Sequence, residues 1–318
     1  MKQMRFALGA ALVALSCVAA AQGFPSKMVR IIVPYAPGGE TDALGRMIAP
    51  KLTEKWKQSV VVENRVGGGT VIGTEAAAKA DPDGHTLLIA SVGFVTNQVL
   101  IPNLPYDSNS LAPQLLLATG PLILYVNAGV PAKNLKEFIA YGKTRPGQLM
   151  FASSGNASSP HITAELFASL AGIEITHVPY KGTGPALTDL LGGQVHAIFS
   201  TMTLMPNVRA GKLRAFLVAN KTRLSNAPEL PTAEEAGLPN FTAASWFGLF
   251  VQAGVPADVR QRIYTDVRSV ATTPEIRGRI QQIGLEPSTL NREEYAAFLK
   301  AELEKWGGII RAKNIRLE

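Results

Sequence analysis

The stretch "IIVPYAPGGETDALGR", residues 31–46, predicts a strand that ends in a glycine turn and restarts as a helix. The turn holds Gly38 and Gly39, and apolar residues then recur at helical spacing, with Thr41 or Asp42 as the natural N-cap. Because glycines lack a Cβ, such a turn lets a ligand approach main-chain N–H groups at a helix start, where an anion is stabilised. The stretch lacks the lysine of a P-loop, which argues against nucleotide hydrolysis. A tight turn with a capped helix is the simpler alternative.

The N-terminal residues have the three parts of a secretory signal. Lys2 and Arg5 form a positive region, an apolar run follows, and a row of alanines before Gln22 offers a cleavage site. We therefore expect residues 1–21 to be a signal peptide and the mature protein to be periplasmic. A retained N-terminal anchor, or a lipoprotein anchored at Cys17, is the alternative. Cys17 is the only cysteine, so the cleaved chain would have no disulfide or thiol chemistry.

The composition is that of an ordinary globular protein. The chain is 47% apolar and 17% charged, which is enough to bury a large core. Its formal net charge of +7 falls to +5 when the two basic residues of the leader are removed, and the remaining basic residues are dispersed. Nucleic acid is therefore not an expected partner, while small anions would be mildly attracted.

Strand-like and helical segments alternate along the mature chain in two similar sets. The first contains "SVVVEN" and "HTLLIAS", and the second contains "LILYVN", "LMFASS", "IEITHVPY" and "LRAFLVAN". This order predicts an α/β fold of two lobes, each a mostly parallel sheet flanked by helices. With chain crossings near Gly120 and near Thr242, we expect domain I to comprise 22–121 and 246–318, and domain II 122–245. The amphipathic tail should pack back on domain I, leaving a cleft between the domains.

A second polar loop, "SSGNASSPH", spans 153–161 and lies between a predicted strand and a predicted helix. Its hydroxyl and amide groups can donate hydrogen bonds to carboxylate oxygens. A plain polar turn is the alternative when this loop is considered alone. Together with the glycine turn, however, it gives one anion-suited helix start in each lobe, so a ligand with an acid group would lie between them.

Several motifs carry a family resemblance over essentially the whole mature chain. They are, in order, "IIVPYAPGGETDALGR", "VVVENRVGGGTVIG", "DPDGHTLLIAS", "HVPYKGTGPALTDLLGGQV", "GKLRAF", "PTAEEAGLPNF" and "WFGLFV". The chain resembles the Bug family of periplasmic receptors, the TctC-like solute-binding proteins of tripartite tricarboxylate transporters. The resemblance implies a Venus-flytrap fold with no enzymatic step, cofactor or metal. It implies a dicarboxylic, tricarboxylic, amino or aromatic acid as ligand and the membrane subunits of a transporter as partner. We also expect a monomer.

The resemblance also implies which residues bind the ligand, in four cleft loops. Carried over position by position, they are Gly38, Gly39, Glu40, Thr41, Asp42, Ser91, Val92, Gly93, Phe94, Ser153, Ser154, Gly155, Asn156, His161, Ser200, Thr201 and Met202. Family members often hold carboxylates through main-chain amides and ordered waters, which fits the lack of arginine in these loops. The segment "FST" lies where many relatives carry an aspartate, so the resemblance argues against an amino-bearing ligand and favours a plain or aromatic carboxylate.

The alternative function is a secreted α/β hydrolytic or ligand-sensing enzyme that acts on small acids. No serine stands in the G-x-S-x-G pattern of a nucleophile elbow. The segment "GGGTVIG" departs from the dinucleotide-binding spacing, and the four histidines show no metal-ligand spacing. Three positions stay open: Lys181 could lie at the cleft rim or be solvated, and Trp246 and Phe247 could line the cleft or anchor a buried hinge.

Overall fold

The computed structural model describes residues 23–316. The expected signal peptide, its cleavage site and Cys17 lie outside these described residues. Within them, no helix is both long enough and apolar enough to cross a membrane.

The first sheet has six strands in the order β11-β4-β10-β3-β1-β2. These strands are β1 (Val29–Val33), β2 (Val60–Asn64), β3 (Thr86–Ala90), β4 (Leu111–Pro121), β10 (Ala244–Gln252) and β11 (Glu286–Pro287). The helices of this part of the chain are α1 (Glu40–Trp56), α2 (Val71–Ala78), α3 (Gly93–Leu100), α8 (Ala257–Ala271), α9 (Pro274–Gln282) and α10 (Arg292–Ala312). We call residues 23–121 and 244–316, which carry this sheet, the first lobe.

The second sheet has five strands in the order β7-β6-β8-β5-β9. These strands are β5 (Ile123–Asn127), β6 (Leu149–Ser153), β7 (Ile175–Pro179), β8 (Ala197–Ser200) and β9 (Leu213–Val218). Its helices are α4 (Leu135–Lys143), α5 (Ser159–Ala171), α6 (Thr183–Leu191) and α7 (Met205–Arg209). We call residues 122–243 the second lobe.

The expected two-lobed α/β fold is confirmed, but each sheet is mixed rather than mostly parallel. Strand β1 is parallel to β2 and β3, and β6 is parallel to β7 and β8. The strands that carry the chain between the lobes, β4, β10 and β5, pair only in antiparallel fashion. A strand that leaves one sheet and a strand that returns to it run in opposite directions, which is why these crossings break the parallel pattern.

The core of the first lobe lies on both faces of its sheet. Ile31 and Val33 pack against one cluster of apolar side chains and Ile32 against another, as the alternation of a strand requires. All five residues of β3 are buried, which explains their uninterrupted apolar run. In the tail, α8 is held to α1 by a 2.8 Å hydrogen bond from Trp56 Nε1 to Asp266. The expected return of the tail to the first lobe is therefore confirmed.

Candidate functional site

The glycine turn after β1 is held in shape by Asp42. The Asp42 carboxylate accepts hydrogen bonds from the Gly38 amide at 3.1 Å, from Asn64 Nδ2 at 2.9 Å and from Arg46 Nε at 3.0 Å. Burial alone would raise the pKa of Asp42, but the hydrogen bonds from Arg46, Asn64 and Gly38 outweigh it and hold the pKa below its usual range. Since Gly38 donates its N–H to Asp42, this amide is not available to a ligand.

Helix α1 begins at Glu40 with Gly39 as its N-cap, two or three residues before the N-cap expected from the sequence, Thr41 or Asp42. No side chain caps this helix. Helix α5 in the second lobe begins at Ser159. Its N-cap Ser158 makes no capping bond, and the Ser158 hydroxyl is turned to donate to the Gly155 carbonyl at 2.6 Å. Each lobe therefore presents a helix start whose first amides are not used by a capping side chain.

Both helix starts line one enclosed polar cavity between the lobes. The cavity has a volume of about 20 Å³, room for about one water molecule. Its walls come from Tyr35, Gly39, Glu40, Thr41, Ser91, Leu122, Ser154, Ser159, Pro160, Thr183, Ser200, Thr201, Ser245 and Phe247. Most of these residues present hydroxyl or main-chain groups, so the cavity is suited to a small polar ligand once it widens.

The lobes are in direct contact around this cavity. Thr96 Oγ1 of the first lobe donates to the Ala157 carbonyl of the second at 2.5 Å. The Ala36 amide donates to the Lys181 carbonyl at 2.6 Å. Ser245 and Ser159, both in the cavity wall, share a 2.5 Å hydrogen bond across the boundary. These contacts describe a closed cleft.

Glu40 contributes a buried carboxylate to the cleft, bonded to hydroxyls of the opposite lobe. Its Oε1 atom accepts bonds from Thr201 at 3.0 Å and from Ser200 at 3.3 Å. The segment "FST" carries no aspartate, as the sequence shows, but its Ser200 and Thr201 bond to an acid. The acid comes from the other lobe, through a contact between residues 160 positions apart, which no local pattern reveals.

Two buried tyrosines near Glu40 have raised pKa values. Burial raises the pKa of Tyr35 far above its usual value, with the negative charge of Glu40 adding to the rise against a hydrogen bond from Ser91. Burial, and then the same charge, raises the pKa of Tyr125 as well. Tyr125 donates a 2.8 Å hydrogen bond to the Thr201 carbonyl and so fixes the loop that contacts Glu40.

A pair of neutral histidines supports the loop after β6. The rings of His161 and His177 stack with centroids 3.8 Å apart. His161 Nδ1 accepts the Ala157 amide at 3.1 Å, and His177 Nε2 lies 2.6 Å from Ser153 Oγ. Burial lowers the pKa of His161 to about 4, and burial together with the charge of His161 lowers the pKa of His177 to about 3.

The structure distributes the expected ligand residues over three places. Seven line the polar cavity: Gly39, Glu40, Thr41, Ser91, Ser154, Ser200 and Thr201. Four line neighbouring cavities: Gly38 and Met202 one of about 500 Å³, and Gly155 and Asn156 one of about 420 Å³. The lining of these three cavities does not include Asp42, Val92, Gly93, Phe94, Ser153 or His161. Phe94 instead packs on Phe250, with ring centroids 4.6 Å apart.

Several lining residues were not expected from the sequence. Ser159 and Pro160 open α5 and Thr183 opens α6, so these three could have been found as helix starts, whereas Ser245 lies within β10 and reaches the cavity through the tertiary fold. The structure also places the three residues whose position the sequence left open. Phe247 lines the cavity, while Trp246 is 1% exposed and packs edge-on against aromatic side chains of α10. Lys181 lines the 420 Å³ cavity and is exposed.

Among residues 23–316, no group of three or more acidic, histidine or cysteine side chains is placed to hold a metal ion.

Two α/β lobes joined by paired strand crossings, with a closed polar cleft between them, define the fold of a periplasmic binding protein. Residues 44–315 match the family model described as "Tripartite tricarboxylate transporter family receptor". The chain belongs to this family, which confirms the resemblance found in the sequence.

Relatives with names or bound ligands agree with this assignment. The protein BugT of Bordetella pertussis is 33% identical over 302 residues, covering 94% of this chain and 93% of that protein. The structure of Rhodopseudomonas palustris Rpa4515 with adipate is 32% identical, covers 92% of this chain and 99% of that one, and has a TM-score of 0.88. The structure of MatC from the same organism, with bound malate, is 30% identical. The match covers 90% of this chain and 100% of that one and has a TM-score of 0.86.

Proposed function

We propose that the protein is a periplasmic receptor that captures a small organic acid between its lobes and delivers it to the membrane subunits of a tripartite tricarboxylate-type transporter. The observation that carries the proposal is the convergence of hydroxyl groups and uncapped helix starts from both lobes on one small polar cavity. Helix starts and hydroxyls stabilise carboxylates without an arginine. The adipate and malate found in two solved relatives support an acid as ligand.

We propose that the ligand residues are those of the cavity wall. We also propose the expected domains with the second boundary moved from residue 246 to residue 244, where β10 begins, so that Ser245 belongs to domain I. The observed cavity of about 20 Å³ is too small for an organic acid, so binding requires the lobes to separate and then close on the ligand. A receptor of this kind changes no covalent bond, and we propose no catalytic residue. The protein would act as a monomer in the periplasm, after cleavage near Ala21 and Gln22.

A thermal-shift screen of the mature protein against a panel of organic acids, sugars and amino acids tests the ligand class. An acid at 100 times its dissociation constant should stabilise the folded protein by about 2.7 kcal/mol, or about 5 °C in the melting midpoint. Stabilisation by neutral sugars or cationic amino acids, with no acid active, would contradict the proposal.

A second measurement separates the receptor from the enzyme alternative. After prolonged incubation with stoichiometric protein, the acid should be recovered unchanged by NMR. Accumulation of a product would favour a hydrolytic or other enzymatic function. Mass spectrometry of the periplasmic form should show a chain that begins near Gln22, whereas a lipid-modified Cys17 would contradict the proposed processing.

A further inference from the structure

The Glu40 carboxylate accepts hydrogen bonds from four hydroxyl groups. Its Oε1 atom accepts bonds from Ser200 at 3.3 Å, Thr201 at 3.0 Å and Thr203 at 3.1 Å. Its Oε2 atom accepts one from Thr183 at 3.0 Å. All four donors belong to the second lobe, and the Glu40 residue is only 9% exposed.

This carboxylate has no cationic partner. In the described part of the chain its four hydrogen-bonding partners are hydroxyls, and it takes part in no ion pair. Arg209 lines the 500 Å³ cavity that Glu40 also borders, yet it does not pair with the carboxylate. A buried charge is normally matched by an opposite charge or by a full set of hydrogen bonds. Here all four protein partners are neutral hydroxyls, three on Oε1 and one on Oε2, so Oε2 has the capacity to accept a further hydrogen bond.

Glu40 lies on the boundary between the polar cavity and the 500 Å³ cavity, since it lines both. A ligand that widens the polar cavity must therefore meet the Glu40 side chain. A second carboxylate at that point would face a like charge whose donors are already used, which is strongly unfavourable in a buried site. A group that donates a hydrogen bond would instead bond to Oε2.

The ligand's own carboxylate has other donors in the cavity wall. Ser154, Ser159 and Ser245 also line the polar cavity and make no hydrogen bond to Glu40 within the described residues, and Ser159 is the first residue of α5. At α1 the Glu40 carboxylate already occupies the first helical turn, where it weakens the attraction of that helix start for a further anion. The favoured orientation thus places the acid group at α5 and the far end of the ligand toward Glu40.

We infer that Glu40 determines ligand specificity: it selects acids with a single carboxylate whose far end carries an amide or ammonium donor, and it rejects dicarboxylates of the same length. The inference rests on the proposed receptor function and narrows its ligand class. It differs from the diacids present in the two solved relatives, and it reverses the expectation against amino-bearing ligands.

The test compares acids that differ only at the far end. The four-carbon set is succinate, its monoamide and 4-aminobutanoate, and the six-carbon set is adipate, its monoamide and 6-aminohexanoate. Calorimetric titration should show that the unmodified protein binds an amide- or amine-terminated acid at least tenfold more tightly than the matching diacid. Glu40→Gln, which keeps the shape and removes the charge, should gain at least tenfold for the diacid and lose affinity for the amine.

The matched control is Glu54→Gln, an exposed residue on the same helix, which removes the same charge outside the cleft. This control variant should leave the order of the ligand affinities unchanged. Glu40→Ala is the second variant, and both must unfold cooperatively without ligand. The inference is overturned if Glu40→Gln gains no affinity for either diacid, or if its affinities for all ligands change by the same factor. Glu40 would then be only a contact between the lobes. If no acid in the wider panel binds, the receptor proposal itself fails.

Discussion

The main-chain amide of Gly38 donates a 3.1 Å hydrogen bond to the carboxylate of Asp42, and this bond folds the glycine turn back onto the first turn of α1. The turn that the sequence suggested for ligand binding is thus organised by its own acidic residue. The Asp42 side chain is 6% exposed, whereas that of its partner Arg46 is 53% exposed.

This difference in exposure predicts unequal costs for the two side chains. Asp42→Ala should lower the free energy of unfolding by about 2 kcal/mol, because the Gly38 and Asn64 donors lose their charged acceptor. Arg46→Ala should cost less than about 1 kcal/mol, because the pair is open to solvent on the arginine side. Urea unfolding measures both. An Asp42→Ala protein as stable as Arg46→Ala would show that the carboxylate does not organise the turn.

The two glycines of the turn should respond differently to substitution. Gly38 has a φ of +90°, so Gly38→Ala should cost about 1 kcal/mol of stability. Gly39 has a φ of −90°, and a Cβ there would lie 3.8 Å from Thr183, so Gly39→Ala should be nearly neutral. Backbone strain therefore belongs to Gly38 alone. Thermal unfolding measures whether Gly38→Ala loses more stability than Gly39→Ala. Equal losses of stability in the two variants would contradict the prediction.

Closure of the cleft should depend on Gly69. A Cβ at this position would lie 2.8 Å from the carbonyl oxygen of Asn156 in the opposite lobe. Gly69→Ala should therefore hold the lobes apart and weaken binding of the best acid at least tenfold, about 1.4 kcal/mol. Calorimetric titration measures the loss.

Gly172→Ala is the matched control for Gly69. Its φ of +64° is close to the +59° of Gly69, but nothing lies within 4 Å of its Cβ position. Both variants carry a similar backbone cost, so a difference in affinity reports contact between the lobes. Equal affinities in the two variants would mean that the contact of Gly69 with Asn156 plays no part in closure of the lobes.

Stability should fall in mild acid because of the stacked histidines. The pKa of His161 is about 4 and that of His177 about 3 in the folded protein, below the unfolded value of about 6.5. The unfolded chain therefore binds protons first. The stabilisation is complete above about pH 6.5 and is lost as the pH falls toward 4 and then 3, by up to about 1.4 kcal/mol per pH unit for each histidine.

Urea unfolding between pH 7 and pH 4.5 measures this slope. The double variant His161→Gln with His177→Gln should show a clearly flatter profile over the same range. The acids Asp42 and Asp83, whose pKa values are lowered, contribute mainly below about pH 5. Burial also lowers the pKa of His196, which adds to the slope of both proteins equally, so the difference between the two profiles reports the stacked pair. A slope that is unchanged in the double variant would contradict the assignment.

The sequence predicts the parallel half of each sheet well, because those strands are continuous apolar runs bounded by turns. It does not predict β4, since "LAPQLLLATGP" contains a proline and shows no clear alternation. In the structure Pro113 pairs with Phe250 beside a register shift, the kind of bulge at which a strand tolerates proline. Pairing with β10 in the folded protein thus makes β4 a strand although its own sequence does not predict one.

The candidate site is predictable only in part, for a similar reason. Turns after strands identify Gly39, Thr41 and Ser154 as candidates, because glycine and hydroxyl residues at a helix start form a local pattern. The bonds from Thr183 and Thr203 to Glu40 join residues more than 140 positions apart and depend on closure of the lobes. The electrostatic character of the cleft therefore emerges only from the folded protein.

Calorimetric titration of the best acid from the panel and of its methyl ester measures whether the cleft recognises a carboxylate. We expect the acid to bind, and the ester, which keeps the shape but loses the charge, to bind at least tenfold more weakly. We also expect the acid to be recovered unchanged. An ester that binds as tightly as the acid would contradict recognition of a carboxylate in this cleft.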